Sequence, residues 1–294
     1  MLKRRLGKTE LMVSVIGFGG IKLPAVERKT SYEILNRALD LGINFFDTAR
    51  GYGDSEEKIG WALGERRDEF YISTKSHVLT AEEMEKDIKT SLEKLRTDYI
   101  DVYMCHNLRR SESYDKVMGP GGAMEALKKA KQEGIIGHTG FSCHRFHETM
   151  ERGIKSGEFE ALIVAYNILN DELNDETILP MAKEWDVGVI AMKPLAGGAL
   201  AQPPPELKVS SKIPITAEQA LRFVLANPAV DVAIPGMTNL QEVEENARVG
   251  EKFQVMKEAE KLELIKAAEE LGKDFCRNCG YCLPCPEEIR IPVI

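Results

Sequence analysis

The sequence lacks two features that would assign it to large classes of protein: a long apolar run and an excess of basic residues. A membrane-spanning helix needs about 20 consecutive apolar residues, and no segment approaches that length. Lys and Arg number 39 against 47 Asp and Glu, so the formal net charge is −8. Because a nucleic-acid binder presents a basic face to the phosphates, we expect neither a membrane protein nor a nucleic-acid-binding protein.

The first residues also fail to combine the parts of an export signal. Lys3–Arg5 precede the apolar stretch Leu11–Ile21, but Glu10 separates the two parts and no small-residue cleavage site follows. A β-hairpin explains the segment better, with its turn at residues 6–10 and Met12–Phe18 as the returning strand. We therefore expect a cytoplasmic protein.

A regular alternation of strands and helices is present instead. The 294 residues, 43% of them hydrophobic, suffice for a large core. Strand-like apolar runs lie at Val13–Gly19, Asn44–Thr48, Phe70–Thr74, Ile100–Met104, Ile135–Phe141, Ala161–Tyr166, Val187–Met192 and Val232–Pro235. Between them lie helical patterns such as Ala81–Leu95, in which apolar residues recur every three or four positions. Eight such units predict an α/β fold, a parallel sheet closed into a (β/α)8 TIM barrel, and the alternative is an open doubly wound sheet.

The same pattern suggests the domain organisation. We expect the barrel and its N-terminal β-hairpin to occupy residues 1–250, and a C-terminal helix plus a cysteine-rich tail to occupy residues 251–294. The helix is predicted at Val255–Leu271. Gly42, Gly134 and Gly188 are expected to follow helix ends, where glycine is favoured.

Polar residues directly follow the apolar strands of this pattern. Functional groups of TIM barrels lie at the C-terminal ends of the strands. Any one such residue is most simply a polar group leaving the core, but six of them around one mouth predict a pocket. They are Asp47, Lys75, His106, Ser142, Asn167 and Lys193.

Three of these residues lie in longer motifs. Residues 44–53 read Asn-Phe-Phe-Asp-Thr-Ala-Arg-Gly-Tyr-Gly, residues 72–75 read Ile-Ser-Thr-Lys, and residues 98–103 read Asp-Tyr-Ile-Asp-Val-Tyr shortly before His106. In this order they resemble the aldo-keto reductases, and the resemblance extends from Arg5 to Gly250. It implies an NAD(P)H-dependent oxidoreductase that reduces an aldehyde or ketone, or oxidises the alcohol, with Asp47, Tyr52, Lys75 and His106 as catalytic residues.

The chemistry that the resemblance implies agrees with these residue types. Hydride transfer to a carbonyl leaves negative charge on its oxygen, so a proton donor is needed, and Tyr52 is expected to be this general acid. An ammonium beside a phenol stabilises the phenolate, so Lys75 is expected to lower the pKa of Tyr52. Asp47 is expected to keep Lys75 charged and oriented, and His106 to position the carbonyl.

The resemblance also implies a cofactor site along several strand ends. Its expected residues are Gly20, Ile21, Asp47, Ser142, Cys143, Tyr166, Met192, Lys193, Pro194, Leu195, Gly197, Gly236, Thr238, Glu245 and Asn246. Cys143 stands where the family has an Asn, and Met192 where many members have an aromatic residue that stacks on the nicotinamide. Gly236 and Glu242 stand where the family has a Lys and an Arg for the 2′-phosphate of NADPH. We therefore expect NADH to be used at least comparably to NADPH.

Four of the six cysteines form a motif near the C-terminus. Cys276, Cys279, Cys282 and Cys285 are each separated by two residues. The motif resembles the iron–sulfur-associated tail of one branch of the aldo-keto reductases. Close thiolate spacing is typical of a ferredoxin-like 4Fe-4S cluster, while zinc usually requires a longer spacer between two Cys pairs. A cluster, zinc and free thiols remain as alternatives for this metal site.

Other polar residues are interpreted as surface groups. Four histidines show no spacing typical of ligands: His77, His138, His144 and His147. Of these, His144 is a candidate to face the pocket. The segment Asn107–Gly122 contains Arg109 and Arg110, which would suit an anionic substrate, but a charged surface loop is the simpler interpretation.

Three functions are therefore compared. The first is the carbonyl reductase, whose partner is a small-molecule carbonyl substrate. The second is an iron–sulfur electron-transfer protein that meets a redox partner through the cysteine tail. The third is a regulatory subunit that senses nicotinamide cofactor without turnover. The complete set of four catalytic residues favours the enzyme over the sensor.

Overall fold

The computed structural model describes residues 1–144, 146–169, 174–198, 200, 215–270 and 287. It begins with a hairpin in which β1 (Lys3–Arg5) pairs antiparallel with β2 (Met12–Ser14) around a 3-10 turn at Gly7–Thr9. The prediction that the returning strand continues to Phe18 is wrong. Ser14 ends it, because its hydroxyl donates to the Ile16 carbonyl at 2.7 Å and the chain turns into the barrel.

Eight parallel strands then form the central sheet. They are β3 (Phe18–Gly19), β4 (Phe45–Asp47), β5 (Tyr71–Ser76), β6 (Ile100–Cys105), β7 (Ile136–Cys143), β8 (Ala161–Ala165), β9 (Gly188–Met192) and β10 (Val232–Ile234), each beside the next. The sheet closes because the amides of Gly17 and Gly19 donate to the carbonyls of Ala233 and Pro235, at 2.8 and 2.9 Å. The predicted TIM barrel is thus confirmed, and closure excludes the open doubly wound sheet.

Helices cover the outside of the sheet and supply its parallel crossovers. They are α1 (Arg28–Asp40), α2 (Ser55–Leu63), α3 (Ala81–Leu95), α4 (Ser111–Met118), α5 (Ala123–Gln132), α6 (His147–Lys155), α7 (Leu179–Glu184), α8 (Ala217–Ala226), α9 (Leu240–Glu251) and α10 (Glu258–Glu270). The interpretation of Asn107–Gly122 as a surface loop is wrong, because α4 occupies its middle. This short helix forms because Tyr114 and Val117, three residues apart, are buried on one face.

The N-terminal hairpin closes the lower end of the barrel. Leu6 is fully buried in the inner core, together with Val13, Phe45 and Ile190. Gly188 faces it, and a Cβ built on Gly188 would lie 2.7 Å from Leu6 Cδ1. Gly188 therefore begins β9 and makes room for Leu6, and the prediction that it follows a helix end is wrong. Gly42 and Gly134 follow α1 and α5, as predicted, and both have positive φ.

The last described helix packs on the barrel. Arg222 of α8 forms an ion pair with Glu260 of α10 at 2.7 Å. Leu264 and Ala268 are buried in the larger of two hydrophobic clusters, which lies outside the inner core and is called the outer core. The helix begins at Glu258, three residues later than predicted. The cysteine motif at residues 276–285 lies outside the described residues. Within the described ranges, no helix is long and apolar enough to cross a membrane, and no group of His, Cys, Asp and Glu side chains could hold a metal ion.

The burial of Leu6 at the closed end of the barrel leads to a stability prediction. Leu6→Ala removes a fully buried side chain between β9 and the hairpin, so we expect it to lower the free energy of unfolding by about 2–5 kcal/mol. Chemical denaturation followed by circular dichroism measures the change. Leu2→Ala is the control, because Leu2 is 42% exposed and its truncation should cost under about 0.5 kcal/mol. Equal stability of the two variants would contradict the conclusion that the Leu6 side chain closes this end of the barrel.

Candidate active site

Three neighbouring strands bring the predicted catalytic residues to one end of the barrel. Asp47 ends β4, Lys75 lies near the end of β5, and His106 follows β6. Because these strands are adjacent in the sheet, residues far apart in sequence become neighbours at its C-terminal edge.

Lys75 is the most constrained group of the site. Its Nζ donates to both carboxylate oxygens of Asp47 and to the carbonyl of Thr48, each at 2.7 Å. The side chains of Lys75 and Asp47 are only 2% and 4% exposed. Burial raises the pKa of Asp47, while Lys75 and the hydroxyl of Ser73, which donates to Asp47 at 3.0 Å, lower it. Three acceptors thus fix the direction of the ammonium.

Tyr52 lies beside this ion pair. Lys75 Nζ is 5.1 Å from the centroid of the Tyr52 ring, and a tight turn, in which Gly53 has φ of +51°, carries the tyrosine back towards the site. The pKa of Tyr52 is raised, because burial raises it more than Lys75 lowers it. The predicted effect of Lys75 is thus present but smaller than that of burial, and the hydroxyl keeps its proton at neutral pH.

His106 also contacts Tyr52. Its ring meets that of Tyr52 edge-on, with 5.6 Å between centroids and 83° between planes. Burial, followed by the charge of Lys75, lowers the pKa of His106, so the imidazole is neutral at pH 7. Its buried Nδ1 has no hydrogen-bond partner in the part of the chain that the structure describes.

A second histidine stacks on His106. The rings of His77 and His106 are 3.8 Å apart and inclined by 13°, and Nδ1 of His77 lies 3.2 Å from the His106 carbonyl oxygen. His77 is exposed at the surface, as interpreted from the sequence, but this stack also makes it part of the site. A sequence signal existed, because His77 follows Lys75 by two residues, the period with which side chains of a strand return to one face. His138 lies in β7, where Nδ1 contacts Glu160 at 2.8 Å.

Behind Lys75, the opposite face of β5 carries a polar network that the sequence did not reveal. Glu56 of α2 is buried, accepts from the Thr74 hydroxyl at 2.8 Å, and pairs with Arg50 at 2.5 Å. The backbone amide of Arg50 donates to the Lys75 carbonyl at 2.9 Å. The Ser76 hydroxyl, also on β5, donates to Asp87 of α3. These bonds hold the strand and the turn before Tyr52 in register with two helices.

The segment after β3 covers Asp47. A Cβ on Gly20 would lie 2.8 Å from the Asp47 carbonyl oxygen, so only glycine allows this approach. Ser55 Oγ donates to the Gly20 carbonyl at 2.9 Å, and the buried Lys58 donates to the carbonyls of Leu23 and Val26 at 2.9 and 2.7 Å. Ile21 remains 56% exposed. The segment is thus anchored on α2, with Ile21 exposed beside Gly20.

At the ends of β7 and β8, the side chains of the expected cofactor residues lie on two different faces of the sheet. The Ser142 hydroxyl accepts from the backbone amide of Asn107 at 2.7 Å, and Asn167 donates to the carbonyl of Lys193 at 3.0 Å. Cys143 and Tyr166 instead pack into the outer core, because side chains alternate along a strand. These two side chains therefore lie in the outer core, and a role of Cys143 and Tyr166 in cofactor binding stays a prediction.

The Tyr166 hydroxyl is also occupied. It donates to Asp175 at 2.5 Å and accepts from Asn227 at 3.1 Å. Its ring stacks on Phe223, with 6.3 Å between centroids. These contacts bind the outside of β8 to α8 and leave no free hydrogen-bonding group on Tyr166 for a ligand.

Two further segments border the site. After Met192, which packs against the inner core, the chain turns through Lys193–Gly198, and Gly197 and Gly198 have positive φ with open space around them. At the start of α9, Glu242 accepts from both the amide and the hydroxyl of Thr238, at 2.7 and 3.1 Å.

The remaining expected residues lie close to these segments. Pro194 and Leu195 form the turn after β9, in which the Gly198 amide donates to the Leu195 carbonyl at 2.9 Å. Gly236 bridges to Gly19 beside the closure of the barrel. On α9, Glu245 accepts from Gln241 at 2.8 Å, and Asn246 is buried.

Comparisons with known proteins agree with this geometry. A family model described as "Aldo/keto reductase family" matches residues 15–212. L-galactose dehydrogenase of Arabidopsis thaliana is 33% identical over 94% of this chain and 97% of its own length. The uncharacterized oxidoreductase YqkF of Bacillus subtilis is 28% identical over 84% of this chain and 90% of its own.

Solved structures agree as well. The holo form of aldo-keto reductase AKR11C1 from Bacillus halodurans covers 93% of this chain and 97% of its own, at 26% identity and a TM-score of 0.77. The family match covers more than half of the sequence, and the relatives span nearly all of it. The chain is therefore an oxidoreductase that belongs to the aldo/keto reductase family.

Proposed function

We propose that this oxidoreductase reduces an aldehyde or ketone, and oxidises the corresponding alcohol, with Tyr52 as general acid and base. The observation that carries the proposal is the contact of Tyr52 with two groups. Lys75, fixed by Asp47, lies 5.1 Å from the centroid of its ring, and the His106 ring meets it edge-on at 5.6 Å.

The residues present fit a nicotinamide cofactor. Ser142 and Asn167 offer a hydroxyl and an amide at adjacent strand ends, and Gly197 has open space around its backbone, where phosphate oxygens find N–H donors. We propose that these groups, with Gly20 and Met192, hold the dinucleotide. When bound, the reduced nicotinamide supplies a hydride.

Residues of this chain then supply the proton. Tyr52 donates its phenolic proton to the carbonyl oxygen as negative charge develops there. Lys75 stabilises the phenolate that remains, and Asp47 prevents the ammonium from turning away. His106, being neutral, is able to donate one hydrogen bond to the same oxygen. A raised pKa suits this order of events, because Tyr52 must carry its proton at neutral pH before the reaction begins.

The cysteine tail supports a second, sequence-based proposal. We propose that Cys276, Cys279, Cys282 and Cys285 hold a 4Fe-4S cluster, because four thiolates at this spacing match the donor set of such clusters. We also propose that the tail contacts a redox partner and that the protein is cytoplasmic.

The tail proposal predicts metal content. Anaerobically prepared protein should contain about four irons per chain, and the variant with all four cysteines changed to serine should contain none while still binding cofactor. Metal analysis measures both proteins. One zinc per chain, or no metal in the unaltered protein, would contradict the cluster.

The proton donor is tested by Tyr52→Phe. Removing the hydroxyl deletes the general acid, so we expect turnover to fall by about 10²-fold or more while the dissociation constant of the cofactor stays the same. Steady-state kinetics and cofactor titration measure the two quantities. Tyr32→Phe is the matched control, because that tyrosine lies on the exposed side of α1 and should keep full activity. A Tyr52→Phe enzyme as fast as the unaltered one would overturn the assignment.

The choice between NADH and NADPH depends on Glu242. Thr238 is one of the expected cofactor residues, but both its amide and its hydroxyl already donate to Glu242. A phosphate at this position would meet a carboxylate, and Gly236 offers no positive charge. We therefore propose that NADH binds at least as well as NADPH.

Reversing the charge tests this proposal. Glu242→Arg should strengthen NADPH binding relative to NADH by about 1.5–3 kcal/mol, the contribution of a charge-assisted hydrogen bond. Titration of both nucleotides measures the shift. Glu251→Arg, at the far end of α9, adds the same charge without reaching Thr238 and should change neither affinity. If NADPH already binds the unaltered protein a hundredfold more tightly than NADH, a different cation recognises the phosphate.

A further inference from the structure

The segment that follows His106 is fixed at the rim of the site. The amides of Asn107 and Leu108 donate to the hydroxyl and the carbonyl of Ser142, at 2.7 and 2.9 Å. Leu108 is buried, and α4 begins at Ser111. Arg109 is therefore held between two anchored points, although its own side chain is exposed.

The Arg109 guanidinium turns back along this segment. With the Asn107 amide oriented so that its oxygen faces Arg109, that oxygen accepts from Nε and Nη2 at 2.9 and 3.1 Å. These two bonds use one edge of the guanidinium, and the fork of an arginine has further donors for a planar anion. Asn107 has positive φ, which bends the chain at this point.

The charge of Arg109 reaches the two stacked histidines. It contributes to the lowered pKa of His77 and of His106, in both cases after the larger effect of burial. Nδ1 of His77 must be the protonated nitrogen, because the His106 carbonyl that it faces only accepts. Burial lowers the pKa of His77, so its imidazole is neutral at pH 7.

The site therefore carries net positive character beside the reacting position. The carboxylate at its base, Asp47, is already neutralised by Lys75 at 2.7 Å. Lys75 and Arg109 act on His106 through their positive charge, and each of them lowers its pKa. Among these, Arg109 is the exposed cation at the rim.

We propose that the natural substrate is a carbonyl compound that bears a carboxylate, and that Arg109 is the residue that binds this carboxylate. The inference rests on the proposed carbonyl reductase activity. Tyr52 and His106 would face the carbonyl oxygen, while the free edge of the Arg109 guanidinium pairs with the anion. Because Arg109 touches no reacting atom, it determines specificity and takes no part in proton transfer.

Isosteric substrate pairs test the proposal. 4-Oxobutanoate with 4-oxobutanamide, and 4-formylbenzoate with 4-formylbenzamide, differ in charge but hardly in shape. We expect kcat/KM to favour at least one carboxylate by on the order of 10- to 100-fold, as a charge-assisted pair implies, with most of the difference in KM. Arg109→Gln should reduce the preference to about onefold while the amide partner keeps its rate. Added salt should also weaken the preference, because the guanidinium is exposed.

Arg110→Gln is the matched control. Arg110 is the adjacent arginine, but it immediately precedes α4, and no effect of its charge on His77 or His106 is found among the described interactions. This variant should keep the carboxylate preference. If both members of each pair react equally and Arg109→Gln changes nothing, the inference is overturned and the reductase proposal stands. If no aldehyde of a wider panel is reduced with either nicotinamide, both are overturned.

Discussion

The buried ion pair of Lys75 and Asp47 is the interaction on which the rest of the site depends. Two charges taken out of water are costly unless each finds partners, and removal of one partner from such a pair typically costs 3–5 kcal/mol. Here the partners are complete, because Lys75 has three acceptors at 2.7 Å and Asp47 also accepts from Ser73. The pair therefore fixes a positive charge beside Tyr52 in a place that water hardly reaches.

The barrel makes this pair possible by placing β4 and β5 side by side and supporting them from both sides. The network of Arg50, Glu56 and Thr74 links β5 to the surrounding helices. The Gly20 segment lies against the backbone of Asp47. Leu6 closes the opposite end of the barrel. The interior is thus a packed core, and the predicted catalytic residues lie at its mouth.

Much of this arrangement could be predicted from the sequence, for a physical reason. Asp47, Lys75 and His106 each interrupt or follow an apolar strand, so the pattern alone brings them to one edge, whereas Tyr52 was identified through its family motif. What failed depends on contacts between distant segments or on side-chain direction. The bonds between Thr238 and Glu242 leave no trace in periodicity, and the stack of His77 on His106 leaves only the two-residue spacing between Lys75 and His77. The side chain of Tyr166 packs into the outer core, because every second side chain at a strand end points away from the pocket.

The pH dependence of carbonyl reduction, measured in the unaltered enzyme and in Lys75→Met, tests the central claim most directly. Burial holds the pKa of Tyr52 above its usual value, and Lys75 lowers it. In the proposed mechanism, reduction requires the protonated phenol, so the rate of reduction should stay level through neutral pH and fall only as the pH rises through that pKa. In Lys75→Met the fall should move to still higher pH, with a lower rate on the plateau. A rate that already declines below pH 8, or a profile unchanged by Lys75→Met apart from scale, would contradict the role of the buried pair in setting the proton on Tyr52.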